Sequence, residues 1–250
     1  MAQLSYEGYR LVWEESFDGD ALNENNWNME LHEPGWVNNE LQEYTNSREN
    51  IFLRDHYLVL KAMKEEGGRY TSGRVSTQGK QEFTYGIFEA RLKVPKGKGY
   101  LPAFWLMTGD EEKYGQWPRC GEIDIMEVLG HDTETNYGTI HFGIPHKQRQ
   151  GSYTLEDGCF SDDFHVYALR WEKDRISWYI DGEQIFTETQ WYCVREGQGD
   201  IAYPAPFNHP FYIILNLAVG GDWPGDPDDN TDFETQELVV DYVKVYQEGL

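Results

Sequence analysis

The stretch "HVYALRWEKDRISWYIDGEQIF", residues 165–186, alternates apolar and polar side chains between two short turns. A period of two is the pattern of β-strands, because successive side chains of a strand point to opposite faces. Asp181-Gly182 is a dipeptide suited to a tight hairpin turn, and Ile185 and Phe186 resume the apolar pattern after it. The stretch therefore predicts three consecutive strands joined by turns.

The same period of two extends through most of the chain. In "IFEARLKV", residues 87–94, apolar side chains alternate with charged ones. Further strands are predicted at 57–63, 72–79, 100–107, 121–129, 137–143, 211–218 and 237–246. Loops rich in Gly, Pro and Asp are predicted at 95–99, 109–118, 145–163 and 220–232. With no long helical stripe and no internal repeat, the sequence predicts an all-β fold, a jelly-roll sandwich of two antiparallel sheets in one domain, 1–250.

Composition and charge narrow the classes of partner. The chain has 250 residues, 39% hydrophobic and 15% aromatic, which suffices for a large core. Its net charge of −23 argues against nucleic acid and against an anionic membrane surface, because phosphate binding needs clustered Lys and Arg. A neutral ligand such as a sugar meets no such repulsion. No apolar run approaches the ~20 residues that span a bilayer, so membrane insertion is not expected.

The three cysteines and the N-terminal residues do not identify the cellular compartment of the protein. An odd number of cysteines at irregular spacing predicts neither a disulfide framework nor a zinc site, and Cys120 is expected to be a small buried hydrophobe. No signal peptide precedes Leu4. We expect a secreted or cell-surface parent protein whose export signal is absent from this sequence, with a cytoplasmic protein as the alternative.

The segment "RCGEIDIMEVLG", residues 119–130, carries Glu122, Asp124 and Glu127 on an otherwise apolar strand. On a regular strand Glu127 would share the buried face of Ile123, and burying a lone carboxylate is costly. One extra residue resolves this conflict. We therefore predict a β-bulge near Ile125-Met126 that returns Glu127 to the face of Glu122 and Asp124.

The spacing of these acids suits one kind of catalysis. Four strand steps of about 3.3 Å place the Cα atoms of Glu122 and Glu127 roughly 13 Å apart, and the side chains can bring the carboxyl groups to about 5 Å. Retaining glycoside hydrolysis needs about 5–5.5 Å, whereas inverting hydrolysis needs about 6.5–9.5 Å. Crowding also separates the pKa values of close carboxyl groups, so one can be an acid and another an anion. A solvated acidic face or a cation site remains the alternative.

The sequence "WPRCGEIDIMEVLG", residues 117–130, closely resembles the active-site motif of the laminarinase-like branch of glycoside hydrolase family 16. Further segments resemble the family in family order: "NNELQEYT" (38–45), "SGRVSTQGKQEFTYGIFEARLKVPKGKGYLPAFWLM" (72–107), "GTIHFG" (138–143), "FHVYALRWEKDRISWYIDG" (164–182), "PFYIILNLAVGGDWPG" (210–225) and "DYVKVYQ" (241–247). The resemblance implies a jelly roll with a sugar-binding cleft on its concave sheet, and endo-hydrolysis of β-1,3-glucan with retention. It implies Glu122 as the nucleophile, Glu127 as the general acid/base and Asp124 as the residue that orients and tunes the nucleophile.

The resemblance also implies sugar contacts for tryptophans. Trp105 and Trp117 match cleft tryptophans of the family, and Trp223 in "GGDWPG" is a further loop tryptophan. A flat indole offers an apolar face to a sugar ring and an N–H to a hydroxyl group. The alternative is core packing, which we expect of Trp171 and Trp178.

Three polar residues complete the implied substrate site, each with a structural alternative. Arg74 matches an arginine that hydrogen-bonds substrate, or it forms an ion pair. Asn39 matches an asparagine at the cleft edge, or it forms a turn. His141 is expected on the strand that pairs with the acidic strand, near Glu127, or it is a half-buried histidine with its hydrogen bonds satisfied.

The family often holds a structural calcium ion, and here the expected ligands are incomplete. The sequence reads "WEESF", with Ser16 where many members have glutamate. Asp241 and the backbone carbonyl of His56 are the remaining candidate metal ligands. We expect no cofactor in catalysis, because the chemistry uses only carboxyl groups.

Several functions share these features. The expected function is a retaining endo-β-1,3-glucanase that acts as a monomer on a polysaccharide. The alternatives are a mixed-linkage β-1,3-1,4-glucanase or galactanase, a transglycosylase, and a glucan-binding module without catalysis. The loops at 28–38, 109–118 and 220–232 are expected to decide the substrate.

Overall fold

The computed structural model describes residues 2–195, 197 and 199–249. Most strands of this part belong to two eight-stranded antiparallel sheets, which confirms the predicted all-β sandwich. Residues 1 and 250, the ends of the predicted single domain, lie outside the described residues, and that boundary stays a prediction.

The elements are short, and most are strands. In chain order they are β1 (Tyr9–Glu15), β2 (Asn28–Met29), β3 (Gln42–Tyr44), β4 (Ile51–Arg54), β5 (Tyr57–Leu60), β6 (Met63–Lys64), β7 (Tyr70–Ser72), β8 (Arg74–Ser76), β9 (Glu82–Phe83), β10 (Gly86–Lys93), β11 (Tyr100–Met107), α1 (Glu111–Tyr114), β12 (Glu122–Leu129), β13 (Asp132–Phe142), β14 (Lys147–Thr154), β15 (His165–Trp171), β16 (Ile176–Ile180), β17 (Glu183–Glu188), β18 (Cys193–Arg195), β19 (Gly199–Ile201), β20 (Phe211–Val219) and β21 (Leu238–Glu248). No helix among the described residues has the length and apolar character needed to cross a membrane.

The two large sheets differ in what they carry. Sheet A has the order β17-β16-β15-β10-β21-β5-β4, with β1 also paired to β21. Sheet B has the order β14-β13-β12-β11-β20-β8-β2, with β9 also paired to β20. The acidic strand β12 lies inside sheet B, where β11 and β13 flank it. A three-stranded sheet, β3-β7-β6, and the pair β18-β19 complete the strands.

One hydrophobic core draws its side chains from both sheets. The apolar positions of β10 illustrate how the period of two builds it, since Phe88, Ala90 and Leu92 are fully buried. Trp171 and Trp178 are also buried, which confirms their expected place in the core. Each fully buried large apolar side chain contributes about 1.5–3 kcal/mol relative to an exposed one.

Several predicted boundaries were wrong: the predicted loop 109–118 contains α1, and the predicted strand 57–63 is divided between β5 and β6. Two further differences have distinct physical reasons. The predicted loop 145–163 contains β14, an edge strand whose "KQRQ" beginning is exposed and polar, so no apolar face marks it in the sequence. The predicted strand 72–79 is interrupted at Gly73, where a Cβ atom would lie 2.7 Å from the backbone oxygen of Asn50. Close backbone approach of this kind commonly explains a glycine within a strand.

Cys120 is fully buried, as expected for a small hydrophobe, and all three cysteines are free thiols. Burial raises the pKa of the Cys120 thiol to about 12. A thiol that stays protonated is a poor nucleophile, so Cys120 serves packing.

Candidate active site

The acidic strand is irregular at the predicted position. Along the pairing of β12 with β11, Asp124 lies opposite Trp105 and Met126 lies opposite Phe104, so Ile125 is an extra residue. Along the other edge, the pairing with β13 also shifts between Asp124 and Glu127. The bulge predicted near Ile125-Met126 is therefore confirmed.

The bulge brings the three acids to one side of sheet B. Glu122, Asp124 and Glu127 line the same cavity of about 420 Å³, whereas Ile123 and Met126 are fully buried in the core. If the same residues formed a regular strand without a bulge, alternation would have turned Glu127 toward the core.

Trp178 holds the bulge from beneath, a role that the sequence did not predict. Its indole Nε1 donates a hydrogen bond of 2.7 Å to the backbone oxygen of Asp124. The ring packs on Gly138 of β13, where an added Cβ would lie 2.5 Å from the indole. A buried carbonyl without a partner is costly, so this hydrogen bond stabilises the irregular strand. The glycine inside β13 is the signal that could have revealed this contact.

Two groups contact the carboxyl group of Glu122. The indole Nε1 of Trp117 donates a hydrogen bond of 2.9 Å to Oε2 of Glu122. Nε2 of His141 lies 3.7 Å from Oε1 of Glu122 and 3.2 Å from Oδ2 of Asp124. The shorter contact is an ion pair when His141 is protonated.

His141 was expected near Glu127, and the structure places its imidazole beside the other two acids instead. His141 lies on β13 as predicted, but the register pairs it directly with Glu122, while Glu127 pairs with Tyr137. The bulge shifts the partner of Glu127 from Asn136 to Tyr137, one step nearer to His141, but four positions of β13 still separate the two pairs.

The electrostatic environment gives the two glutamates different pKa values. Burial, and then the charge of Asp124, raises the pKa of Glu122 to about 8, while His141 and the hydrogen bond from Trp117 oppose this rise. Burial raises the pKa of Glu127 well above its ordinary range, and the charges of Asp124, Glu122 and Glu40 add to the rise. Since the contacts that favour the anion act on Glu122, Glu127 keeps its proton to a higher pH than Glu122 does.

His141 supplies positive charge to this group. Burial by itself would lower its pKa, but the contact with Asp124 and the charges of Asp124 and Glu122 outweigh burial, and the pKa is raised. A protonated His141 partly compensates two closely spaced carboxylates.

The three tryptophans expected to contact sugar lie along the cleft. Trp117 is 44% exposed and lines the first cavity together with Trp105, whose Nε1 donates to Oδ1 of Asn216 at 2.7 Å. Trp223 is 40% exposed, packs edge-on against Tyr137, and lines a second cavity of about 420 Å³. Such exposure leaves indole faces available to a ligand.

Arg74 lines the cleft, where a substrate contact was expected, and it also forms the ion pair that was the alternative. It lines the first cavity, yet it is buried and its Nε donates to Oε2 of Glu30 at 2.5 Å. Its guanidinium lies 4.9 Å from the ring centre of Trp105 and 5.2 Å from that of Trp36. The ion pair is therefore present, and the guanidinium supports two cleft tryptophans. Trp36, 49% exposed, was not among the predicted site residues.

Asn38, rather than Asn39, lines both cavities. Nδ2 of Asn39 donates to Oδ1 of Asp222 at 2.9 Å and so links the two loops at the cleft edge. Both asparagines have positive φ, of 50° and 55°. A turn of this kind changes which of two adjacent residues faces a cleft, and alternation cannot predict that choice.

One of the two predicted calcium ligands already has a partner, since Oδ2 of Asp241 accepts a hydrogen bond of 2.5 Å from Arg91. The other, the backbone carbonyl of His56, lies in the turn between β4 and β5. Calcium needs six to eight oxygen ligands, so a carboxylate already paired with a guanidinium fits it poorly. Among the described residues, Glu122, Asp124 and His141 have ligand atoms within 4.8 Å of one another. The nitrogen ligand and the small number of oxygens make this group unsuited to calcium as well.

Comparison with known proteins is consistent with this geometry. The chain is 38% identical to "Glucan endo-1,3-beta-glucosidase A1" of Niallia circulans over 96% of its own length and 38% of that relative's. It is 39% identical to "Glucan endo-1,3-beta-glucosidase" of Cryptopygus antarcticus, covering 96% of this chain and 93% of the relative. The catalytic domain of an endo-1,3-beta-glucanase (laminarinase) from Thermotoga petrophila superposes with a TM-score of 0.83 at 39% identity, covering 97% of this chain and 99% of that domain.

The family assignment rests on the larger part of the chain. Residues 38–244 match the family described as "Glycosyl hydrolases family 16", and this range contains the acidic strand, its two neighbours and the predicted cleft tryptophans Trp105, Trp117 and Trp223. The chain belongs to glycosyl hydrolase family 16.

Proposed function

We propose that this chain is an endo-acting, retaining hydrolase of β-1,3-glucan. The observation that carries the proposal is the bulge in β12, which places Glu122, Asp124 and Glu127 together in an open cleft lined by tryptophans. The names of the similar glucanases support the substrate class.

The two glutamates perform two steps. In the first, the carboxylic acid of Glu127 gives its proton to the glycosidic oxygen while the carboxylate of Glu122 attacks the anomeric carbon, so the leaving chain departs and a glycosyl-enzyme ester forms. In the second, Glu127 takes a proton from water, and the resulting nucleophile breaks the ester. Two inversions at the same carbon give net retention.

The neighbours of the glutamates prepare them for these roles. The negative charge of Asp124 helps to keep Glu127 protonated. The indole of Trp117 and the imidazole of His141 favour the anionic form of Glu122. An acid and an anion therefore lie side by side at a pH between the pKa values of Glu122 and Glu127.

The shape of the cleft supports attack within a chain. Glu122, Glu127 and Trp117 line both cavities, so the catalytic groups lie where the two cavities meet. One cavity extends toward Trp36 and the other toward Trp223. A polysaccharide can therefore occupy both sides of the catalytic centre.

The alternatives share parts of this geometry. A glucan-binding module needs neither an acid nor a nucleophile, and this chain keeps both. Transglycosylation uses the same covalent step with a sugar in place of water, and only products separate it from hydrolysis. A mixed-linkage glucan or a galactan would differ in the contacts from the three loops predicted to decide the substrate.

Digestion of laminarin, lichenan, agarose and carrageenan in parallel tests the function. We expect laminarin to yield a ladder of oligosaccharides early, as an endo-acting enzyme produces. Glu122→Gln should remain folded by circular dichroism and lose hydrolysis by several orders of magnitude. Cleavage of another polymer in preference to laminarin, products longer than the substrate, or full activity of Glu122→Gln would each contradict a stated part of the proposal.

The stereochemistry is tested separately. We expect the first sugar released from laminarin to have the β configuration, because two displacements restore the original configuration. Proton NMR during the first minutes of digestion distinguishes the anomers before they equilibrate. An initial α product would overturn the double displacement.

We also propose that the protein is exported and acts as a monomer. A polymeric substrate that cannot enter a cell supports export. Fractionation of the native source tests whether the protein is exported, and light scattering of the purified chain tests whether it is a monomer.

A further inference from the structure

His146 contacts both groups that contact the nucleophile. Its Nε2 lies 2.9 Å from Nδ1 of His141, and the two rings are nearly parallel at 17° with centres 5.2 Å apart. Its ring centre is also 4.9 Å from that of Trp117. His141 and Trp117 are the neighbours that favour the anionic form of Glu122.

The loop that carries His146 is held in place. Residues 143–146 join β13 to β14, whose pairing continues to Phe142 and Lys147 at the base of the loop. The hydroxyl group of Tyr192 donates to the backbone oxygen of Pro145 at 3.3 Å. The Tyr192 ring also covers Gly143, where an added Cβ would lie 2.6 Å from it. The position of His146 is therefore fixed by packing as well as by the hairpin.

The imidazole of His141 needs a contact on its outer nitrogen. Rotation about the bond to an aromatic ring has broad, roughly two-fold wells, so a contact at one nitrogen does not fix the ring. Nε2 of His141 faces Asp124 and Glu122, and His146 is the partner on the opposite side. The same residue supports the Trp117 ring from which the hydrogen bond to Glu122 comes.

We propose that His146 is a positioning residue for the nucleophile Glu122 and acts through His141 and Trp117. This inference rests on the proposed function, since it assigns a role toward the same nucleophile. His146 is exposed and lies in a loop, so truncating it leaves the core intact.

The first test separates kcat from KM. His146→Ala should lower kcat on a laminarin oligosaccharide about tenfold or more with a small change in KM, because a misplaced catalytic group costs rate rather than binding. His146→Gln should restore a large part of the rate, since its amide can pair with Nδ1 of His141. His131→Ala, at the exposed turn between β12 and β13, is the matched control and should behave as wild type. An unchanged kcat in His146→Ala, or no rescue by glutamine, would overturn the proposal.

A double variant tests whether His146 acts through its neighbours. In a His141→Asn background, His146→Ala should reduce kcat much less than it does in wild type, because residues that act as a unit are not additive. An equal reduction in both backgrounds would show that His146 acts independently of His141.

The last measurement does not depend on hydrolysis. Nitrogen-15 NMR of the imidazoles should show one dominant protonation pattern for His141 in wild type and an altered one in His146→Ala. If wild type fails to cleave any glucan, the proposed function fails while this spectrum still tests the contact. Identical His141 resonances in the two proteins would refute the inference.

Discussion

Asp124 is the residue that connects Glu122 and Glu127 electrostatically. Its side chain is buried, and its charge raises the pKa of both Glu122 and Glu127. A bell-shaped dependence of kcat/KM on pH reports the ionisation of an essential base and an essential acid. In the proposed mechanism the acidic limb belongs to Glu122 and the basic limb to Glu127.

Asp124→Asn should shift both limbs to lower pH. Removing a negative charge makes ionisation of the neighbouring acids easier, so the pKa of Glu127 falls and its proton is lost earlier as pH rises. Measurement of kcat/KM across pH for the variant and wild type checks this shift. Glu134→Gln, an exposed residue of β13, is the control for loss of one charge far from the acids' face. A basic limb that stays in place or moves upward would contradict the assignment of the limbs.

The positions of side chains were predictable where they follow from alternation and charge. Three acids on an apolar strand required a bulge, and the bulge brings all three to one side of the sheet. The partner of His141 and the choice between Asn38 and Asn39 were not predictable. The first depends on the register between β12 and β13 and the second on a left-handed turn, and the sequence reveals neither to within one residue.

At the scale of elements, the bulge depends on a contact between the two sheets. Trp178 comes from β16 of sheet A and donates to the backbone of β12 in sheet B. Gly138 gives the indole the space to reach that carbonyl. The core therefore supports the catalytic geometry directly.

Gly138→Ala should impair both stability and catalysis. The new methyl group would displace the Trp178 ring and weaken its hydrogen bond to Asp124, and overpacking of this kind costs about 1–3 kcal/mol. Chemical denaturation and kcat on laminarin measure the two effects. Gly109→Ala is the control, because a Cβ there meets side-chain atoms of Glu82 and Gln78 at ordinary distances of 3.4 Å or more. Wild-type stability in Gly138→Ala would show that the contact is easily rearranged.

His209 holds the loop that presents Trp117. Its Nδ1 lies 3.2 Å from Oγ1 of Thr108, and its Nε2 lies 3.2 Å from the backbone oxygen of Cys120. These two contacts fasten both ends of the segment between β11 and β12. Burial lowers the pKa of His209 to about 4.

His209 should contribute stability that is lost in acid. The folded protein resists protonating this ring, whereas the unfolded chain takes up a proton near the ordinary pKa of about 6.5. The contribution is therefore complete above about pH 6.5 and declines as pH falls toward the folded-state pKa of about 4. The difference in unfolding free energy between wild type and His209→Gln should shrink over this range. A difference that does not vary with pH would show that His209 titrates normally.

At the scale of the whole molecule, the sandwich was predictable because its strands alternate. Strands such as β10 and β16 bury their apolar side chains against the opposite sheet, and a period of two identifies them. The edge strand β14 was missed because it has little apolar surface to bury. Pairing order and cleft shape depend on contacts between distant strands, which no local pattern contains.

Removal of metal ions should leave the molecule unchanged. Arg91 already neutralises Asp241, and the proposed chemistry uses only carboxyl groups. Activity and the melting temperature should therefore be the same after treatment with EDTA and after addition of calcium. A rise in the melting temperature on adding calcium to the treated protein would demonstrate the structural ion that the sequence allows.

The bulge at Ile125 changes the parity of β12. Before the bulge, the side chains at even-numbered positions face the cleft, and after it those at odd-numbered positions do. Leu129 therefore packs with Leu101, Ala218 and Tyr137 in a small apolar cluster separate from the main core. Grafting a groove residue from a relative whose strand is regular consequently requires an offset of one beyond this point. Deleting one bulge residue would restore a regular strand and still leave all three acids on the same side. In a strand without a bulge, the same deletion would turn every side chain beyond it to the opposite face.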